Sequence, residues 1–161
     1  MRHRAIVFAL LLACGLFRSG QRLDATPQDA PPLPPAIKQA NDQFVSAILS
    51  KIVGHENEPA GQVFQNIQMF KNIPARQVLT IMSVGCAPAL GVACTHCHVE
   101  KDFASDDKRP KRAAREMAVM HRSVNDQLAK MQNLVTPPTE NRSVNCAVCH
   151  RGKVNPRAGG L

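Results

Sequence analysis

Apolar residues recur along this chain at helical spacing, and no stretch shows the sustained alternation of a strand. Ile37, Ala40, Phe44, Ile48 and Ile52 line one face of a helix predicted over 36–53 and stopped by Gly54. A second, short helix is expected to start at Glu58-Pro59, with Val63, Phe64, Ile67 and Phe70 as its apolar set. Asn72-Ile73-Pro74 reads as a third start, because proline is tolerated in the first helical turn. Val78, Leu79 and Met82 then share a face, and Gly85 and Pro88 are expected to end that helix. Residues 102–109 form a charged loop, and a long helix is predicted over 110–133. Its apolar face carries Ala114, Met117, His121, Val124, Leu128 and Met131, and Thr136-Pro137-Pro138-Thr139 breaks it. The expected fold is all-α with little or no sheet. One order of parts, helix then loop then Cys-x-x-Cys-His, occurs in 74–98 and again in 110–150.

The first residues do not belong to that domain. Arg2 and Arg4 precede an apolar run from Ala5 to Ala13, too short to span a bilayer and suited to a signal peptide. Leu11-Leu12-Ala13-Cys14 resembles the lipobox of bacterial lipoproteins. That likeness implies cleavage after residue 13 and a lipidated Cys14 that anchors the protein to a membrane without spanning it. Residues 14–35, with Pro27, Pro31, Pro32, Pro34 and Pro35, read as a tether. The folded domain is then expected over 36–156, followed by a tail at 157–161. The whole chain has six Phe and neither Trp nor Tyr, so the domain's side chains make a thin core.

Cysteine spacing supplies the chemistry. Of six cysteines, four form two C-x-x-C pairs, each followed at once by histidine: Cys94-Thr95-His96-Cys97-His98 and Cys146-Ala147-Val148-Cys149-His150. This is the haem c attachment signature. Two thiols on one helical turn reach both vinyl groups along one porphyrin edge, and the next residue sets an imidazole on the iron. Two covalent haem c groups are therefore expected. A zinc ribbon would bring its pairs within about 15–20 residues, far closer than these two pairs lie. Thioredoxin-like chemistry would want one such pair beside a βαβ pattern, and none is visible. Cys86 reads as a small buried hydrophobe rather than a ligand or disulfide partner.

The formal charge is +8, reduced if Arg2 and Arg4 leave and further by ionised haem propionates. Much of it sits in Lys108-Arg109-Pro110-Lys111-Arg112 and Arg115, either a solvated helix start or a docking surface for an acidic partner. An exported chain with this cysteine pattern does not point to nucleic acid. For the position opposite each histidine, Met82 precedes the first motif and Met117 the second. Met120 and His121 are rivals at the second iron, sharing much of the same helix face.

Further residues carry a family resemblance. Val63-Phe64-Gln65-Asn66-Ile67-Gln68, Ile73-Pro74-Ala75, Met82, Leu90-Gly91-Val92, Cys97-His98-Val99-Glu100, Asp102-Phe103-Ala104-Ser105, Ala114-Arg115-Glu116-Met117 and Cys149-His150-Arg151-Gly152 resemble the cytochrome subunit of photosynthetic reaction centres. The likeness covers roughly residues 60–153. It implies that each haem unit is a helix carrying a methionine ligand, a turn and the attachment motif. Met82 is thereby assigned to the iron held by His98, and Met117 to that held by His150. Members of that family carry four haems in two such pairs, whereas this chain has one pair. The expected function is electron transfer between membrane-associated redox partners, not catalysis. The alternatives are a haem peroxidase-like enzyme, or a haem-bearing subunit of a larger membrane redox complex.

Overall fold

A computed structural model describes residues 30–133 and 143–156. The chain's first 29 residues, which include the expected signal and Cys14, lie outside the described residues, as do 134–142 and the tail. Among the described residues there is no sheet, only two isolated antiparallel bridges, Pro59 with Pro74 and Val99 with Asp102. The all-α expectation therefore holds.

Prolines start most of the helices. Helix α1 (Pro35–Lys51) begins on Pro34-Pro35, α2 (Ala60–Val63) on Pro59 and α3 (Ala75–Thr80) on Pro74. Proline loses nothing there, since the first turn's N–H groups have no helical partner. The starts of α2 and α3 are stitched together: Ala60 N–H donates to Ile73 O at 2.8 Å and Ala75 N–H to Glu58 O at 2.9 Å. Against this seam packs a small core of Ile52, Ala75 and Leu79, with Val45, Ile48, Leu49, Val63 and Phe64 around it. Helix α2 is shorter than predicted. Phe64 leaves it in extended backbone, and Phe70 sits at φ +62° and is exposed.

The third helix does not end at Gly85 and Pro88. It widens into one π-helical turn over Ile81–Cys86 and continues as α4 (Ala87–Leu90), with Gly91 at φ +68° closing it. In an α-turn the ring of Pro88 would crowd the carbonyl four residues back. The wider turn before it, in which Ala87 N–H reaches back to Met82 O, opens the ladder at that point. Met82 thus sits on the π turn, half-buried, one turn beyond the buried Val78 and Leu79.

After a 3₁₀ turn at Cys94–His96 and the charged loop, the long helix α5 runs Arg109–Lys130, ending three residues earlier than expected. None of its residues is buried, and Met117 is 38% exposed. Helix α6 (Cys146–His150) is the second motif itself, capped by the Asn145 side chain, which accepts from the N–H groups of Ala147 and Val148. It packs on α4 and on the π turn. The contact is close: a Cβ added at Gly91 would lie 2.2 Å from Gly152 O, and Gly152 N–H donates to Ala89 O at 2.8 Å. Pro31, in the segment expected to be a tether, lies over Gly152, where an added Cβ would meet its Cγ at 2.5 Å. Of the 14–35 segment, these last residues are laid on the domain.

Candidate functional site

The two Cys-x-x-Cys-His turns are built differently yet present their histidines alike. In the first, His98 Nδ1 lies 3.1 Å from Phe103 O. In the second, His150 Nδ1 lies 3.0 Å from Lys153 O. A carbonyl can only accept, so each Nδ1 carries a proton, and in the neutral ring that leaves the lone pair on Nε2. That is the arrangement of a metal-binding imidazole, with the far nitrogen oriented by a second partner. His98 also stacks on Phe103, centroids 4.7 Å apart, and Phe103 in turn leans on Phe44 of α1 at 5.5 Å. Burial, and then the Lys111, Lys108 and Arg115 cations, hold His98 below the usual histidine range against the upward pull of the Phe103 carbonyl. A neutral ring, the form that ligates metal, is favoured there.

An asparagine fastens the chain ahead of each motif. Asn41 on α1 is the largest fully buried side chain among the described residues, 2% exposed. Its Nδ2 donates to Val92 O at 3.3 Å, and its Oδ1 accepts from Cys94 N–H at 2.8 Å. At the second motif Asn125 on α5 does the same for Val144, donating to its carbonyl at 3.1 Å and accepting from its N–H at 2.8 Å. His121 Nε2 also reaches Val144 O, at 2.6 Å. His121 thereby turns one nitrogen to backbone, where sequence had left it a rival ligand. The sequence reading missed both asparagines. A trace of the first was present, since a polar residue at position 41 interrupts the apolar face of α1.

The described cysteines are all free thiols. Burial pushes Cys94 and Cys97 up, with Lys108 opposing it at Cys97. Cys86 is in no disulfide, as expected, but is less buried than expected. It is half-buried at the end of the π turn, and its S–H bonds Cys146. That hydrogen bond, aided by His121 and His150, lowers Cys146 to about 6. The bond and then burial push Cys86 up. Sequence could not show this pairing, because it depends on the π turn meeting α6.

In the basic cluster Lys108, Lys111 and Arg115 are half-buried, while Arg109 and Arg112 are exposed. Lys111 Nζ donates to Phe103 O, Ala104 O and Ser105 O at 2.7–2.8 Å. It also pairs with Asp106 at 3.2 Å, and Arg115 meets the same carboxylate at 2.7 Å. Arg112 donates to the carbonyls of Asp106 and Asp107, and Lys108 Nζ bonds Thr95 O inside the first motif. Four of these cations thus hold the 102–108 loop against the first motif, a role beyond the solvated face or docking surface that sequence offered.

The donor set suits a haem c at each turn: two thiols, an oriented imidazole, and a small protein core with few buried large side chains among the described residues. Among the described residues no three His, Cys, Asp or Glu converge as a site for a bare metal ion. These features are those of a small all-α c-type cytochrome, a class whose members hold haem c covalently. Comparison with known sequences places it further. The profile of the family described as photosynthetic reaction centre cytochrome C subunit matches residues 27–159, and the chain belongs to that family. Relatives include cytochrome c-554 of Chloroflexus aurantiacus, 36% identical over 94 residues, 58% of this chain and 22% of that protein. Another is the photosynthetic reaction center cytochrome c subunit of Thermochromatium tepidum, 30% identical over 100 residues, 61% of this chain and 23% of that one. The subunit of the same name from Rubrivivax gelatinosus is 28% identical over 113 residues, 68% of this chain and 28% of its own length. The chain thus aligns with less than a third of each of these relatives. No solved structure matches it.

Proposed function

We propose that this chain is a two-haem electron carrier. One haem c is bonded through Cys94 and Cys97 with His98 on its iron, the other through Cys146 and Cys149 with His150. The observation that carries this reading is the shared histidine geometry, Nδ1 on a backbone carbonyl and Nε2 left for metal, at both turns. Bound haem would supply a one-electron iron couple. The protein's part is to hold each imidazole, screen it from water and supply the opposite ligand.

Met82 and Met117 are the proposed opposite ligands, as the family resemblance implies. Met82 stands on the π turn, a local widening that recurs at functional sites. Met117 stands on the apolar face of α5, while His121, one turn on, gives its Nε2 to Val144 O and keeps only Nδ1 for a metal. Methionine opposite histidine raises the reduction potential and leaves no open position for peroxide, which favours a carrier over an enzyme. The close α4–α6 contact at Gly91 and Gly152 draws the two units together, as electron exchange between them needs.

The partners are redox proteins of membrane complexes, the setting that the relatives' names indicate. Residues 1–13 would export the chain to the periplasm, and lipidated Cys14 would hold it on the membrane. No helix among the described residues is long and apolar enough to cross one. Expression with haem attachment, followed by intact mass and a redox titration, tests the reading. Two haem masses above the polypeptide and two one-electron waves are expected, with Met82→Ala lowering one midpoint and sparing the other. A product of bare polypeptide mass refutes the site, and two unmoved midpoints refute Met82 as a ligand.

A further inference from the structure

The two units are alike in sequence but not in what surrounds the histidine's carbonyl partner. Phe103 O, which accepts from His98 Nδ1–H, also accepts from Lys111 Nζ at 2.8 Å. The Lys111 side chain is only 12% exposed, so water screens its charge weakly. Asp106 answers that charge but is shared with Arg115, one carboxylate between two cations, leaving a net positive charge at the loop. Lys108 adds a second ammonium at Thr95 O, within the motif itself. At the other turn, His150 Nδ1 bonds Lys153 O, and among the described residues no ammonium shares that oxygen.

We propose that Lys111 sets the haem at residues 94–98 to the higher reduction potential of the two. The inference rests on the haem assignment proposed above. Two effects act in the same direction. A carbonyl already accepting from an ammonium draws less on the imidazole N–H, so His98 is less anionic in character and stabilises oxidised iron less. The buried positive charge also disfavours the more positive, oxidised state of the site directly. The consequence is a directional pair: an electron entering the molecule rests first at the unit of residues 94–98. Lys111 does not touch the iron; it acts through Phe103 and His98.

The test is a redox titration of the haem-loaded protein carrying Lys111→Met, which keeps the aliphatic stem and removes the charge. The higher midpoint should fall, shifting the electron's distribution between the haems about tenfold, or about 59 mV for a one-electron couple. The lower midpoint should stay, and Lys111→Arg should restore most of the difference. Asp106→Asn separates charge from loop support: it loosens the same clasp but removes a negative charge, so the higher midpoint should hold or rise. Two unmoved midpoints in Lys111→Met, a change confined to the lower one, or equal falls in Lys111→Met and Asp106→Asn would each overturn the proposal. Failure of the underlying site reading shows itself separately, as a parent protein whose mass includes no haem at residues 94–98.

Discussion

Replacing Asn41 by alanine removes the side chain that ties α1 to the first attachment turn. Asn41 is 2% exposed and makes two bonds, accepting from Cys94 N–H at 2.8 Å and donating to Val92 O at 3.3 Å. The substitution orphans one donor and one acceptor at the same spot. A buried polar group left unpaired costs roughly 1–3 kcal/mol. Val92 and Cys94 are half-buried rather than sealed, so the lower part of that range applies to each. The expected loss is about 2–3 kcal/mol, and for a domain of this size that lowers the melting temperature by roughly 6–15 °C. Thermal unfolding of the haem-loaded protein, followed by far-ultraviolet circular dichroism, reads it directly. An exposed control on the same helix, Asp42→Ala, loses only a surface pair with Lys38 and should change stability by less than about 0.5 kcal/mol. If Asn41→Ala matches that control, the asparagine does not hold the turn and the account of the first motif's anchoring is wrong.

Gly91→Ala should destabilise by about 2–3 kcal/mol, because its φ of +68° and the Gly152 carbonyl both refuse a Cβ; wild-type chemical denaturation of the variant would contradict the close α4–α6 contact. His121→Ala should reduce stability by about 1 kcal/mol through the lost bond to Val144 O. It should leave the methionine-to-iron near-infrared band at the second haem intact, whereas loss of a low-spin haem would make His121 a ligand. Asp106 is held well below the usual carboxylate range, by Arg115 first and then Asn66 and Lys111. A depressed folded value means this stabilisation is present above the unfolded carboxyl's pKa, about 3.9, and is lost as pH falls through the folded value. The drop in melting temperature between pH 6 and pH 3 should therefore be smaller in Asp106→Asn than in the parent, and identical profiles would exclude the clasp from acid lability.

The elements were legible where periodicity and proline were strong. Helices α1 and α5 lie within a few residues of their predicted spans, since a long apolar stripe and a proline start are both local signals. The end of the third helix was misjudged at Pro88, because a proline reads as a stop unless the preceding turn can widen, and only packing between α4 and α6 shows why the helix carries on to Gly91. The loop-holding part of the basic run at 108–115 was illegible for a similar reason. Charges written side by side look solvated until the loop carbonyls that they hold are seen folded back over them.

By itself the sequence determined where the two Cys-x-x-Cys-His turns lie, because each is contained in five consecutive residues. It also determined the all-helical character and the candidate methionines. Tertiary structure alone decided what steadies and distinguishes those turns: Asn41 reaching across to Val92 and Cys94, Asn125 and His121 meeting at Val144, Cys86 meeting Cys146, and Lys111 sharing one carbonyl with His98. Each of these joins a helix to a backbone or sulfur atom from another part of the chain. No local pattern encodes such a contact, since it exists only once packing has brought the two segments within hydrogen-bonding distance.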